Sequence, residues 1–297
     1  MKKVISLFIS IIVFSLIFVG CSCTQTQTAI RAVWWWNDEL NLNTQETYLN
    51  FAKENGINQI YYCTNKFNEE TANFIKSANT LGIEVFWLDG NYKWLHSAEQ
   101  EQKLHNKLNN YATFNKNYPS TQFAGVHLDI EPHQSKNSNS VLNETNLPFN
   151  LDFETELGRQ TLITNLINLV IKLDITYPDI NFAYDIPFWL NDQIEINGIT
   201  KPAYEHIIEQ ADGIVVMSYR DTATEIFNVA KEELEFANSI SKTITLSVEC
   251  GNSGNTISFY EEGKQVLNQE LSILEKLVPP FTGMCIHHIE SWFKLQD

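Results

Sequence analysis

Between residue 30 and the end of the chain, eight short runs rich in β-branched and aromatic residues alternate with longer amphipathic stretches, and this alternation limits the fold more than any other feature. The runs are 30–36, 57–63, 83–88, 123–130, 180–186, 213–219, 243–248 and 283–288. The helical patterns between them are 44–55, 68–80, 97–117, 154–176, 201–210, 222–240 and 259–277. Strand followed by helix, repeated, implies right-handed crossovers and a parallel sheet. Eight such units in about 270 residues fit a single α/β domain over 30–297, a closed (β/α)8 TIM barrel. An open doubly wound sheet is the alternative. It would carry a Gly-rich phosphate turn after its first strand, and "RAVWWWNDEL" has none. Gly56 and Gly82 are placed to stop helices, and Thr44, Asn68, Ser97 and Thr222 to cap them. Only "IESWFKLQD" follows the eighth run, which leaves little for a last helix. The irregular segment 132–152, rich in Asn and Ser, follows the fourth run and so falls on the face where barrels keep their active sites.

The N-terminus is different in kind. Lys2 and Lys3 precede an apolar stretch, 4–19, and then Gly20-Cys21. This resembles a bacterial lipoprotein signal, with Phe18 where Leu is usual, and the resemblance implies a signal over 1–20, lipidation of Cys21 and a polar tether over 21–29. A lipid-anchored protein of the bacterial cell envelope, facing the periplasm or exterior, is the expectation. The stretch is short for a bilayer span of about 20 residues, and no later run is long enough to cross one. With a formal net charge of −16, the surface repels nucleic acid and offers no polybasic grip on anionic lipid. Cys63, Cys250 and Cys285 lack paired or metal-type spacing and read as small buried hydrophobes. A monomer is expected.

The fourth run, "FAGVHLDIEPH", carries the first sign of chemistry. Alternation puts Val126, Leu128 and Ile130 on one face and His127, Asp129 and Glu131 on the other. Burying such groups unpaired costs roughly 2–7 kcal/mol each even before charge is counted. The same parity points Asn181, Ala183 and Asp185 inward on the fifth run, and Thr245, Ser247 and Glu249 on the seventh; on the sixth, Val215, Met217 and Tyr219 share a row with Asp221 just beyond. Acids and aromatics gather at the strand ends: Asp38, Asp89, Glu131, Asp185, Tyr219, Asp221, Glu249, His287, His288 and Glu290. A single acid there usually caps a loop, whereas a ring of them suits acid/base chemistry, because crowded carboxyls push one another's pKa values apart.

The acids could instead hold a metal with His127, His133, His287 or His288, but the first run lacks the His-x-His common in metal barrels; neither a metal nor a cofactor is expected. His127 has a second reading, as a core histidine bonded to Asp129. Of Trp34, Trp35 and Trp36, at least one is core filler. The rest are expected at the rim with Trp87, Tyr92, Trp94, Trp189 and Trp292, where aromatic faces beside carboxylates suit sugar rings. The expected substrate-binding set is Trp34, Trp36, Asp89, His127, Asp185, Met217, Asp221, His287 and Glu290, for an oligosaccharide or polysaccharide.

These residues resemble glycoside hydrolase family 18, the chitinases and their relatives, which carry Asp-x-x-Asp-x-Asp-x-Glu on the fourth strand and Met-x-Tyr on the sixth. Asp129 and Glu131 match the end of the first motif, and Met217-Ser218-Tyr219 the second. Ala124 and His127 stand where its first two acids would be, and "GMCIHHIESW" lacks the family's strand-eight tryptophan. The resemblance implies Glu131 as general acid, Asp129 orienting a 2-acetamido group that acts as internal nucleophile, and Tyr219 positioning that group. A retaining scheme with Glu131 as acid and Glu249 as nucleophile stays open, since Glu131-Pro132 ends the fourth run and Glu249 the seventh. So does a non-catalytic glycan-binding protein, which Ala124 and His127 favour.

Overall fold

The computed structural model describes residues 29–137 and 147–296. The signal, the tether to residue 28 with Cys21, and part of the 132–152 segment lie outside the described residues.

Every predicted run forms a strand. In chain order the elements are β1 (Arg31–Trp35), α1 (Leu42–Glu54), β2 (Gln59–Cys63), α2 (Glu69–Thr80), β3 (Glu84–Asp89), α3 (Ala98–Asn117), β4 (Gly125–Leu128), α4 (Glu156–Thr176), β5 (Phe182–Pro187), β6 (Gln193–Ile196), β7 (Ile199–Pro202), α5 (Ala203–Gln210), β8 (Gly213–Met217), α6 (Ala223–Val229), α7 (Lys231–Ser239), β9 (Thr245–Glu249), α8 (Gly263–Leu277), β10 (Gly283–His287) and α9 (Ile289–Lys294). Eight strands close into one barrel in the order β1-β10-β9-β8-β5-β4-β3-β2, and every pairing in it is parallel. The chain is a (β/α)8 TIM barrel, as the alternation requires.

Local chemistry sets the punctuation. Asn68, Ser97 and Thr222 each accept a backbone N–H as N-caps of α2, α3 and α6, whereas α1 begins before Thr44 because the Asn41 side chain takes that role. Gly56 and Gly82, at φ 76° and 75°, take the left-handed conformation that ends α1 and α2. The helix expected over 222–240 breaks at Ala230 into α6 and α7. Between β5 and α5 stands an unexpected antiparallel hairpin, β6–β7, whose Asn197-Gly198 corner has φ 52° and 80°, the pattern of a type I′ turn.

The core has two shells. Val33, Trp35, Tyr62, Trp87, Val126, Leu128, Tyr184, Val216, Leu246 and Ile286 point outward beneath the helices. Ala32, Trp34, Tyr61, Phe86, Leu88, Val215 and Cys285 fill the barrel interior. Parity along each strand makes this division, so neighbours such as Trp34 and Trp35 belong to different shells. Cys63, Cys250 and Cys285 are free thiols, two of them buried.

Candidate active site

A cleft of about 390 Å³ opens at the C-terminal ends of the strands, lined by Trp36, Gly90, Asn91, Tyr92, Asp129, Glu131, Gln134, Met217, Tyr219 and His287. Asp129 and Glu131 arrive just past β4 because that strand stops at Leu128 while the alternation carries on for three residues. Among the described residues they are the only acids in the lining. Pro132 opens a single 3₁₀ turn, Pro132–Gln134, and this folds Gln134 back so that its side-chain amide donates to Glu131 Oε2. His133 Nε2 lies 3.5 Å from the other carboxyl oxygen.

Burial, the largest influence, raises Glu131 above the ordinary carboxylate range, against the opposing pull of Gln134 and His287. Asp129 is raised well above that range, first by burial and then by the charges of Asp185 and Glu131. Asp129 and Glu131 in the cleft and Asp185 buried beneath them therefore oppose one another's ionisation. Tyr219 is held fully protonated, by burial before the charges of Asp185, Asp129 and Glu249.

The opposite wall is a relay of fixed side chains. Trp36 Nε1 donates to His287 Nε2 at 2.9 Å, and His287 Nδ1 lies 2.7 Å from Glu249 Oε2. Indole can only donate, so Nε2 accepts and the imidazole hydrogen sits on Nδ1, aimed at Glu249. Glu249 Oε1 receives the Gly251 N–H at 2.5 Å. Burial works to raise Glu249, but His287 and the N–H groups of Gly251 and Cys250 outweigh it and hold the carboxyl low. Across the cleft, the Gly90 backbone sits against Asp129. A Cβ on Gly90 would lie 2.0 Å from Asp129 O, so only glycine permits this approach.

Several expected residues do not reach the cleft. Trp34 is 1% exposed inside the barrel, where its Nε1 donates to Asp185 Oδ2 at 3.3 Å; it is floor, not sugar platform. His127 and Asp185 are 0% and 3% exposed beneath Asp129. The ring of His127 lies 2.8 Å from Asp185 Oδ2, so its partner is Asp185 and not Asp129. Asp89 is taken by Lys107 of α3 at 2.5 Å. Asp221 lies outside the lining, in the turn into α6, and Glu290 belongs to α9, where its charge acts on Tyr48 of α1. Trp87 and Trp292 are buried under helices, and Trp94 is 4% exposed. Glu249 supports the wall from behind His287 and is absent from the lining. Among the described residues no group of three or more His, Cys, Asp and Glu could hold a metal ion.

Gln134, Gly90 and Asn91 were not anticipated. Pro132 directly after Glu131 was the available signal for Gln134, since proline favours the first position of a helical turn.

No protein-family model matches the sequence, and no curated protein matches it. Among solved structures the fold is similar to a GH18 chitinase from Pseudoalteromonas aurantia, with a TM-score of 0.58, 13% identity, and 90% of this chain and 98% of that one covered. It is similar to the spore cortex-lytic enzyme SleL of Bacillus megaterium QM B1551, with a TM-score of 0.52, 11% identity, and 90% and 73% covered. It is also similar to the glycoside hydrolase domain of PelA from Pseudomonas aeruginosa, with a TM-score of 0.51, 10% identity, and 89% and 97% covered. At such identities the likeness is one of architecture: this chain has the barrel fold on which those glycoside hydrolases are built.

Proposed function

We propose that the protein is a glycoside hydrolase that cleaves N-acetylhexosamine linkages with Glu131 as general acid and the substrate's own 2-acetamido group as nucleophile. The observation that carries this reading is the make-up of the cleft: Asp129 and Glu131 line it together with Tyr219, and among the described residues no third acid does. Burial raises Glu131 and so favours its protonated form, the form a general acid needs to serve a leaving oxygen. As that proton passes to the departing oxygen, the acetamido carbonyl closes onto the anomeric carbon. Asp129 accepts the acetamido N–H and balances the positive charge that develops there, while the Tyr219 hydroxyl donates to the acetamido oxygen. Glu131, now ionised, takes a proton from water, whose oxygen opens the ring intermediate. An enzyme nucleophile would need a second free carboxylate facing the anomeric carbon, and Glu249 is committed to His287 and Gly251. A chitinase is among the proteins with the same architecture, which supports this substrate class.

Aryl glycosides and chitin or peptidoglycan oligomers test the reading. Hydrolysis of N-acetylhexosaminides, a fall of about 10²–10⁴-fold in Glu131→Gln, and no turnover of neutral hexosides are expected. Binding without hydrolysis, equal in the wild type and Glu131→Gln, would leave a glycan-binding barrel instead. The N-terminal segment supports anchoring through a lipidated Cys21, and Cys21→Ala is expected to move the protein from the membrane fraction to the soluble one.

A further inference from the structure

The imidazole of His287 is held at both nitrogens. His287 of β10 and Glu249 of β9 are direct partners in the strand register, and Nδ1 lies 2.7 Å from Glu249 Oε2. Glu249 is itself pinned: its Oε1 receives the Gly251 N–H, and a Cβ on Gly251 would sit 3.0 Å from the same oxygen. Trp34 meets the imidazole edge-on at 5.4 Å, with Tyr219 at 5.9 Å and His288 at 5.2 Å, so the ring is hemmed in. At Nε2, Trp36 arrives from just past the end of β1 and donates at 2.9 Å. Trp36 is half-buried in the cleft wall. An indole N–H can only donate, so this bond exists only while Nε2 is bare. A proton taken up by His287 must go to Nε2, because Nδ1 already carries one. Two N–H groups then face each other across that contact, while the contact with Glu249 becomes a full ion pair. The protonated ring keeps Glu249, and Trp36 is the side chain that gives way.

We propose that His287 is a positioning residue that locks Trp36 into the cleft wall while neutral and releases it on protonation, so that glycan binding weakens as pH falls. The link to glycan rests on the glycosidase reading of the same cleft; the lock itself does not. The titratable groups facing His287 are Glu249 of β9, Glu131 past β4, Asp185 of β5, Tyr219 past β8 and His288 beside it. Among the described residues Glu249 alone of these is hydrogen-bonded to the ring. Trp36 therefore does on β1 what no strand-eight residue does here: it gives the cleft a tryptophan wall, and β10 supplies the histidine that fixes it.

Proton and nitrogen NMR of the free wild-type protein reads the lock, with the nitrogen–nitrogen coupling across the Trp36–His287 hydrogen bond identifying both signals. The neutral ring is expected as the Nδ1–H tautomer, and the Trp36 indole signal is expected to move on the same inflection as the His287 ring when pH is lowered. A neutral ring with its hydrogen on Nε2, an indole signal indifferent to the His287 titration, or a His287 that stays neutral until the protein unfolds each overturns the proposal. Calorimetry with N-acetylglucosamine oligomers reads the consequence, comparing Glu131→Gln with the double variant Glu131→Gln, Trp36→Phe. Phe keeps a ring in the wall but has no N–H to lock. The affinity of Glu131→Gln is expected to fall about tenfold across the His287 inflection, and that of the double variant to start lower and stay flat. Equal pH dependence in the two overturns the link to glycan. A wild type that hydrolyses no glycoside, beside a Glu131→Gln whose binding follows His287, sinks the glycosidase reading and upholds the lock and its control of binding. Absence of oligomer binding at every pH overturns the link to glycan as well as that reading.

Discussion

Trp34, Trp35 and Trp36 illustrate how one residue of displacement changes a side chain's task. Trp35 packs under the helices, Trp34 closes the barrel floor over Asp185, and Trp36 walls the cleft through His287. Truncating the fully buried Trp35 to Ala is expected to cost about 3–5 kcal/mol in denaturant unfolding. The two glutamates separate in the same way. Glu131 lines the cleft with its pKa raised, whereas Glu249 is held low behind His287. Glu249→Gln is therefore expected to lower kcat/KM only about tenfold, by loosening His287 and Trp36. A loss as deep as that of Glu131→Gln in the same assay would restore Glu249 as nucleophile. Parity along the fourth run made Asp129 and Glu131 legible in the sequence. It could not tell which inward groups stop below the floor, because depth along the barrel axis depends on the stagger of neighbouring strands.

At the scale of elements, strands and helices follow from periodicity, and most departures have a local cause. The β6–β7 hairpin was signalled by Asn197-Gly198 between alternating residues, and the break at Ala230 by nothing local in the sequence. The α7 helix carries a buried acid remote from the cleft. Glu233 is 1% exposed with Oε2 unpartnered among the described residues, and burial lifts it to about 8. Because its folded pKa exceeds the unfolded one, the folded state binds the proton more tightly, and Glu233 costs stability increasingly as pH rises from about 4.5 to about 8. Glu233→Gln is expected to raise Tm near pH 8, a gain of roughly 1–3 kcal/mol that fades near pH 5. Equal gains at both pH values would refute the assignment. At the loop after β3, Gly90→Ala forces its Cβ onto the Asp129 carbonyl. It is expected to cost activity more than stability, read as a drop in kcat/KM with a Tm lowered by a few degrees.

Across the whole molecule, closure joins the ends of the chain: β10 pairs with both β1 and β9. A chain cut before Gly283 leaves two open strand edges and is expected to lose cooperative unfolding and resistance to protease together. The sequence by itself determined the class of fold and the inward rows, and it placed Glu131 at a strand end, because periods of 2.0 and 3.6 and the stop at Pro132 are local properties of the chain. Only the tertiary structure decided which inward groups meet. Asp185 with His127, Glu249 with His287, and Gly90 with Asp129 come from different strands, and barrel closure and stagger, absent from any one stretch of sequence, bring them into contact.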